Sequence, residues 1–425
     1  MNIEFGDLRM KVKNIYEQIL KRKKYIYLVT ILLLVFTQLI TITVLANMWK
    51  FNKLFKLVRY LCYIILALLA GENYYREVLN NTLKGLLKKS FFYFKKHIVL
   101  MLLIVVAFLS TLVSKETIPL IILFIIVNAA ENDFDETLSL IIKLNIIVFC
   151  ITLLGGLTGI LPDVIIYRGA TERHSYGYIY PTELLSHYCF IVLMYIYLKQ
   201  EKFSGKDFII INVINIILFK MTDSRLDFLI IIITSCLALL FAYKPDILKR
   251  CVKPLYINVI FLLSIAFSFI TAIFYNGNSK IFSLLNQFLS QRLLLGNNAL
   301  SYYGLSAFGE KIKWIGSGGN GVYASYDPLE YNFVDCSYLQ YTLSFGMMFM
   351  IAICVLYMLT VIYEYRKKNI YSLIVLGLVF VISIIEPRLI NIPLNPFILL
   401  MGSVAMLSNK EIVKLIKGER KNGTV

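Results

Sequence analysis

The sequence predicts an all-α polytopic membrane protein with about 12 transmembrane helices and one large external loop. Hydrophobic residues make up 59% of its 425 residues, and the mean hydropathy is +0.73. Apolar runs recur at the length that a bilayer of ~30 Å requires. This composition and these runs exclude a soluble domain. The net charge of +17 does not indicate nucleic-acid binding, because the basic residues lie between the apolar runs rather than on one soluble face.

The apolar runs divide the chain into successive helices within a single integral membrane domain, 1–425. No internal repeat or low-complexity segment interrupts them. The predicted helices span 25–48, 54–71, 98–114, 117–130, 138–161, 184–199, 208–220, 226–243, 255–273, 339–363, 369–386 and 390–407.

The distribution of lysine and arginine predicts which side of the membrane each connection faces. With the N-terminus inside, cytoplasmic segments hold 28 basic residues and external segments hold 12, in line with the positive-inside rule. This predicts a cytoplasmic N-terminal segment (1–24) and tail (408–425), and two external loops at 162–183 and 274–338. The stretch 131–137, with four acids and no base, is the exception on the inner side.

The first external loop gathers basic and aromatic residues ahead of a predicted span. Taken singly, each is typical of a solvated loop. Together they indicate a basic patch on the external side, where the positive-inside rule predicts few basic residues. Its members are Arg168, Arg173 and His174 with the four tyrosines Tyr167, Tyr176, Tyr178 and Tyr180.

Arg225 opens a predicted span at the outer face, in the short turn Thr222-Asp223-Ser224-Arg225. One interpretation is an interfacial arginine that reaches lipid headgroups. The other is an arginine that grips a lipid phosphate, since a guanidinium matches phosphate oxygens bidentately and stays charged. Arg388 lies in the last external turn and is a further candidate for substrate binding.

The large external loop supplies further candidates. Arg292 could bind an anion, and Glu310 and Asp335 could act as a general base or orient arginines. Trp314 and Tyr338 could stack on sugar faces or belong to an interfacial aromatic belt. The glycines from Gly316 to Gly321 lack the lysine pattern of a nucleotide-binding loop.

Three charges within or beside spans, Arg59, Lys143 and Asp227, look isolated in the sequence. Isolated charges do not form a proton relay, which weakens the interpretation as a proton-coupled transporter. The cysteines show no metal-ligand spacing, and no metal or other cofactor is predicted.

These motifs together resemble the Wzy-type polysaccharide repeat-unit polymerases, which share a superfamily with the O-antigen ligases. The resemblance lies in the order and spacing of several short motifs across most of the chain. They are Arg173-His-Ser-Tyr-Gly-Tyr-Ile-Tyr-Pro-Thr, Thr222-Asp-Ser-Arg225, Arg292, Phe308-Gly309, Asn332-Phe-Val-Asp335-Cys-Ser-Tyr338 and Ser344-Phe-Gly346.

The resemblance implies a GT-C-like fold in the bacterial cytoplasmic membrane, without a nucleotide sugar or a metal. It implies undecaprenyl-pyrophosphate-linked oligosaccharides as substrates, and a chain-length regulator, a flippase and membrane lipids as partners. The family's external arginines correspond to Arg173, Arg225 and Arg292. The ligases carry a histidine in the large outer loop and this chain has none there, which favours a polymerase. The arginine-to-glycine spacing of some polymerase loops is only approximate between Arg292 and Gly304.

The implied chemistry joins two lipid-linked repeat units into capsule, exopolysaccharide or O-antigen. Arg225 and Arg292 would clamp the leaving pyrophosphate, Arg173 would assist, and Asp335, Glu310 or His174 would take the hydroxyl proton. The alternatives are an O-antigen ligase or teichuronic-type polymerase, a lipid-linked oligosaccharide flippase and, third, a small-solute transporter.

Overall fold

The computed structural model describes residues 22–47, 49–79, 86–316 and 331–418. These residues are mostly helical, which confirms the polytopic α-helical expectation in outline. Seven helices are long and apolar enough to cross a membrane, or up to nine if two sharply bent pairs each count as one span.

The first half of the chain is a series of long helices. They are α1 (Arg22–Ile42), α2 (Trp49–Leu79), α3 (Leu86–Lys96), α4 (Ile98–Ser114), α5 (Ile118–Ala129), α6 (Phe134–Leu157), α7 (Pro181–Lys199), α8 (Gly205–Thr222) and α9 (Arg225–Tyr243). The strands β1 (Ile165–Arg168) and β2 (Thr171–His174) lie between α6 and α7.

The second half contains shorter and more broken helices. They are α10 (Pro245–Cys251), α11 (Pro254–Ile273), α12 (Lys280–Phe288), α13 (Arg292–Tyr303), α14 (Ser337–Phe345), α15 (Met347–Arg366), α16 (Ile370–Ile382), α17 (Met401–Ala405) and α18 (Asn409–Lys417). A 3-10 helix, Pro396–Leu400, leads into α17.

The two expected external loops are more ordered than the sequence predicted. The segment 162–183 contains an antiparallel hairpin in which Ile166 pairs with Arg173. The segment 274–338 contains α12, α13 and the start of α14. Gly318 and Gly319, singled out in the sequence, lie outside the described residues.

Helix α7 is the centre of the bundle. It packs against α6, α8, α9 and α16. In its most apolar 18-residue stretch, 83% of the residues are buried inside the protein. Its His187 is fully buried between Tyr178 Oη and Asn145 Oδ1, at 2.9 Å from each. Because a buried imidazole needs partners for both nitrogens, this contact fixes α7 against α6 and the end of the hairpin segment.

The acidic stretch 131–137 is neutralised by bases at the same end of the bundle. Glu131 pairs with Lys23 at 2.8 Å and with Arg76 at 3.0 Å, and Glu136 pairs with Lys24. These contacts place the stretch beside the start of α1 and the end of α2. Its acidic residues therefore form ion pairs with nearby lysines and an arginine. These pairs account for an acidic stretch on the side where the positive-inside rule predicts basic residues.

Two glycines let the segment before Lys311 cross the break between α14 and α15. Gly309 has φ +84°, and a Cβ there would lie 2.3 Å from the carbonyl oxygen of Ser344. Gly346 has φ +90°, and a Cβ there would lie 2.4 Å from the backbone nitrogen of Gly309. Neither contact leaves room for a side chain.

We expect Gly309→Ala to destabilise the protein by about 3 kcal/mol, because it adds a steric clash to backbone strain. Gly304→Ala is the matched control, since Gly304 also has positive φ but nothing lies within 4 Å of its Cβ position. Thermal unfolding of the detergent-solubilised variants measures both. Equal losses for the two would contradict the close crossing at Gly309.

Candidate functional site

Charged residues from distant parts of the chain meet at one end of the bundle in two groups. The turn cluster consists of Arg168, Arg173, Thr222, Asp223 and Arg225. The ion network consists of Glu183, Arg292, Asp335, Glu386 and Arg388. The external arginines that the sequence singled out, Arg168, Arg173, Arg225, Arg292 and Arg388, each belong to one of them.

The turn cluster is built on the sharp turn between α8 and α9. Asp223 ends α8 in the left-handed conformation, with φ +47°. Its carboxylate lies 3.2 Å from Arg168 Nη1 and 3.2 Å from Arg225 Nε. Asp223 therefore joins the hairpin to the start of α9 and orients two guanidinium groups.

Arg173 is buried below the same turn. Its Nε donates to the carbonyl of Thr222 at 2.8 Å, and its guanidinium lies over the ring of Tyr180. Arg173 is only 2% exposed, yet its Nη2 has no hydrogen-bond partner in the described part of the chain, nor does Ser224 Oγ. Since buried polar groups normally have partners, the cluster retains capacity to bind an anion.

His174 is held by the base of the hairpin. Its Nδ1 lies 2.6 Å from Asp163 Oδ2, while Asp163 Oδ1 accepts from the backbone N–H groups of Ser175 and Tyr176. Burial opposes ionisation of Asp163, but the hydrogen bonds from His174 and these amides outweigh it and lower the pKa of Asp163. Asp163 thus orients the imidazole, as in an acid–base pair.

In the ion network, Arg292 connects two acidic segments. Its Nη2 lies 3.4 Å from Asp335 and 3.8 Å from Glu386, and its Nε donates to the carbonyl of Ile385 at 2.9 Å. The guanidinium is nearly enclosed. Arg292, the first residue of α13, therefore anchors that helix to both the 331–336 and the 383–395 segments.

Arg388 forms the other half of the network. Its Nη2 contacts both carboxylate oxygens of Glu183 at 2.5 and 2.6 Å, and its Nε lies 3.8 Å from Glu386. Ser186 on α7 also donates to Glu386, at 3.2 Å. Arg388 thus fastens the last external turn to the first turn of α7.

The network contains more acid than base. Asp227, 4% exposed on the first turn of α9, is acted on by the charges of Arg292, Glu183 and Asp335. Four carboxylates therefore share two guanidinium groups. Burial raises the pKa of Glu386 well above its ordinary value and also raises that of Asp335, with Arg292 and Arg388 opposing the shift. The expectation that Asp227 is isolated was wrong, because its partners come from distant segments.

The two groups lie on different sides of the start of α9. Residues 225 and 227 are about 200° apart around a helix. Asp227 is buried on the network side, while the side chain of Arg225 is 63% exposed beside Asp223. The structure therefore brings Arg225 together with Arg168, and Arg292 together with Arg388, but does not bring Arg225 and Arg292 into one contact.

The remaining candidates are spread more widely. Tyr338 is fully buried and donates to the carbonyl of Phe380, and Tyr178 is fully buried against His187. Contrary to the sequence interpretation, these two rings are core residues and present no face to a ligand. Tyr176 stacks on His174, and Trp314 donates to Ser344 at 3.0 Å. The half-buried carboxylate of Glu310 has no partner among the described residues.

An open cleft of about 610 Å³ lies on α13 and the 331–336 segment. Tyr302, Tyr303, Tyr331, Asn298 and Asn332 line it. Trp314 contacts Tyr303 edge-on, with ring centroids 5.9 Å apart. Aromatic faces beside amide groups suit a polar ligand with apolar ring faces, such as a sugar.

Sequence reasoning missed Glu183 and Glu386. Both lie at the ends of predicted elements, the loop 162–183 and the helix 369–386, where a charge is expected to be solvated. A usable signal was that Glu386 and Arg388 flank a proline directly after a run of apolar residues.

Comparison with known proteins adds no relative. No protein-family model, no curated protein and no solved structure matches this chain.

We expect Arg388→Ala to destabilise the protein by about 3–5 kcal/mol, because it leaves Glu183 buried without its partner. Arg225→Ala removes the same charge from an exposed pair and should change the stability by less than about 1 kcal/mol. Chemical unfolding in detergent compares them. Similar small effects would show that the network is not a structural anchor.

The raised pKa of Glu386 predicts that stability falls as pH rises above its ordinary value of 4.5. Because the pKa is higher in the folded chain, the folded chain binds this proton more tightly than the unfolded chain does, so rising pH favours unfolding. Glu386→Gln should flatten the decline in stability that unfolding measures as pH rises above 4.5. Glu172→Gln, on the exposed face of the hairpin, is the control and should leave the fall in stability with rising pH unchanged. A wild-type stability that does not change with pH would contradict the prediction.

Proposed function

We propose that this chain is a polysaccharide repeat-unit polymerase. It would join undecaprenyl-pyrophosphate-linked oligosaccharides into a surface polysaccharide at the outer face of a bacterial cytoplasmic membrane. The observation that carries the proposal is the meeting of Arg168, Arg173, Arg225, Arg292 and Arg388 at one end of a bundle of apolar helices. Arginines at a membrane boundary suit a substrate whose reacting bond is attached to pyrophosphate.

The proposal includes 12 membrane passes and a GT-C-like arrangement. The seven long spans and the two bent pairs account for nine passes. Helices α5, α8 and α16, which are apolar but shorter or more charged, would provide the other three. Alternation from a cytoplasmic N-terminus then puts both arginine groups outside and the C-terminus inside. The pairing of the acidic stretch 131–137 with Lys23 and Arg76 supports this alternation.

In the proposed reaction, a hydroxyl oxygen of one lipid-linked repeat attacks the anomeric carbon of the growing chain. The bond from that carbon to pyrophosphate breaks, and its electron pair leaves with the phosphate. Arg225 and Arg173 would stabilise the charge that develops there, since the turn cluster has unmet hydrogen-bonding capacity. Arg292 would contribute from the network side.

The hydroxyl proton would pass to a nearby base. His174, oriented by Asp163, is geometrically the best prepared. Asp335, paired with Arg292, and Glu310, which has no partner among the described residues, are the other candidates. The aromatic cleft on α13 would hold sugar rings of the oligosaccharide, and a chain-length regulator and a flippase would be partners of such an enzyme.

A lipid-linked oligosaccharide flippase is the second candidate function. The buried excess of carboxylates at Asp227, Glu183 and Glu386 favours it, because proton-coupled transporters use such groups within their bundles. The large, partly helical outer segment 274–338 favours the polymerase.

The size profile of surface polysaccharide tests the proposal in a strain that lacks this gene. Complementation with the wild type should restore long chains. Arg225→Ala should leave single repeat units at the outer face, because transfer needs the charge at the leaving pyrophosphate. Lys220→Ala, an equal charge change on an exposed residue at the same end, should behave as the wild type.

Two other outcomes would overturn parts of the proposal. Unchanged polymer length and amount in Arg225→Ala would remove the assigned role of that arginine. Loss of all surface sugar in the deletion strain, with lipid-linked units trapped on the cytoplasmic side, would identify a flippase instead.

A further inference from the structure

At the opposite end of the bundle, two short helices turn sharply away from the helices that they adjoin. Helix α3 is bent by 102° from α4, and α18 is bent by 110° from the α17 segment. Membrane spans tilt on average only about 20° from the bilayer normal. If α4 and the α17 segment cross the membrane, α3 and α18 would run nearly parallel to its plane.

The first residue of α18 is bonded to the end of α3 and the start of α4, across sequence separations of 314 and 311 residues. Asn409 Oδ1 accepts from the backbone N–H of Ile98 at 2.9 Å, and Asn409 Nδ2 donates to the carbonyl of Lys95 at 2.6 Å. On the other side, Tyr74 of α2 donates to Ser90 and stacks on Phe94. The pair forms one surface of fixed geometry, which we name the basic platform.

The outward side of the basic platform is both cationic and apolar. Phe91 and Phe92 on α3, and Val413 and Ile416 on α18, are all about half to two-thirds exposed. Ile412 and Leu415 face the bundle instead. The exposed lysines among the described residues of the two helices are Lys88, Lys95, Lys96, Lys410, Lys414 and Lys417.

Acidic side chains do not offset these lysines within the platform. Glu411 is the one acid in the described residues of α3 and α18, and its carboxylate is used as a helix cap by Ser408. Nearby, Arg366 at the end of α15 lies beside Gly418. An in-plane helix with exposed aromatic residues and a basic polar face is the chemistry of binding to the surface of an anionic bilayer.

We propose that the basic platform binds anionic phospholipid headgroups in the leaflet opposite the arginine groups. The exposed phenylalanines would enter the boundary between headgroups and acyl chains, and the six lysines would contact the phosphates. The 20 residues of α15 span about 30 Å and separate the two ends. This surface is therefore independent of the proposed polymerase chemistry.

The test uses the full chain purified in a neutral detergent and titrated with phosphatidylglycerol or phosphatidylcholine. Native mass spectrometry counts bound lipids, and thermal unfolding measures stabilisation. We expect phosphatidylglycerol to bind more tightly and to raise the unfolding temperature. Raising the salt from about 0.1 to 1 M should weaken this binding, because screening shortens the range of the charges.

Three variants locate the effect. Lys88→Gln/Lys95→Gln/Lys96→Gln and Lys410→Gln/Lys414→Gln/Lys417→Gln should each weaken phosphatidylglycerol binding by roughly tenfold or more. Lys115→Gln/Lys280→Gln/Lys313→Gln, the same charge change on exposed residues outside the platform, should leave it unchanged. If a triple variant does not fold, the pair Lys95→Gln/Lys414→Gln replaces it.

The proposal is overturned if both lipids bind equally, or if the control set weakens binding as much as the platform sets. It is also overturned if the platform sets abolish a dimer rather than a lipid adduct, which would show that a second copy of the chain covers this face.

Discussion

The ion network of Glu183, Arg292, Asp335, Glu386 and Arg388 is the interaction on which the outer half of the bundle depends. Four of the five side chains are largely removed from water and Asp335 is partly so, and a buried charge is tolerated only when its partner is in place. The network joins the first turn of α7, the first residue of α13 and the segments before α14 and after α16. Those segments cannot shift singly without leaving a charge unpaired.

The same region contains an irregular stretch directly after α16. The sequence predicts helices over 369–386 and 390–407, but the structure is irregular between Ile382 and Pro396. The carbonyls of that stretch bond to side chains instead: Ile385 to Arg292, Glu386 to Ser337, Pro387 to Tyr341 and Leu389 to Asn395. Irregular backbone that is buried in the protein is stable only when its polar groups are bonded in this way.

The sequence could predict features that depend on residues near each other along the chain, and not those that depend on residues far apart. Hydropathy is local, so both ends of α4 match the prediction, and the arginines are visible because charges are rare among apolar runs. The pairing of Arg388 with Glu183 spans 205 residues, and no local pattern encodes it. For the same reason Asp227 looked isolated, and Tyr178 and Tyr338 looked available to a ligand although the fold buries both.

The two arginine groups differ in what they have left to offer a ligand. Arg292 and Arg388 already face carboxylates, so an anion can bind them only by displacing Asp335, Glu386 or Glu183. In the turn cluster, Arg173 Nη2 and Ser224 Oγ are buried and have no hydrogen-bond partner among the described residues, and Arg225 is exposed. An anion that reaches Arg173 Nη2 and Ser224 Oγ would therefore gain hydrogen bonds without breaking any, whereas Arg225 is already bonded to Asp223. The network is better suited to hold the rigid frame against which the turn cluster is positioned, because its bonds are already made.

The bundle thus uses cations in two physically different ways at its two ends. At the arginine end, Arg292 and Arg388 are largely buried and paired with carboxylates, which suits directional contacts, whereas Arg225 is exposed. On the basic platform, lysines are exposed and uncompensated, and their charge acts over a Debye length rather than through one fixed contact. An exposed ammonium holds a headgroup loosely and is easily exchanged, whereas a buried guanidinium fixes geometry. Exposed lysines therefore suit a surface that binds exchangeable lipid headgroups. Buried arginines suit a site that holds one reacting group in a fixed position.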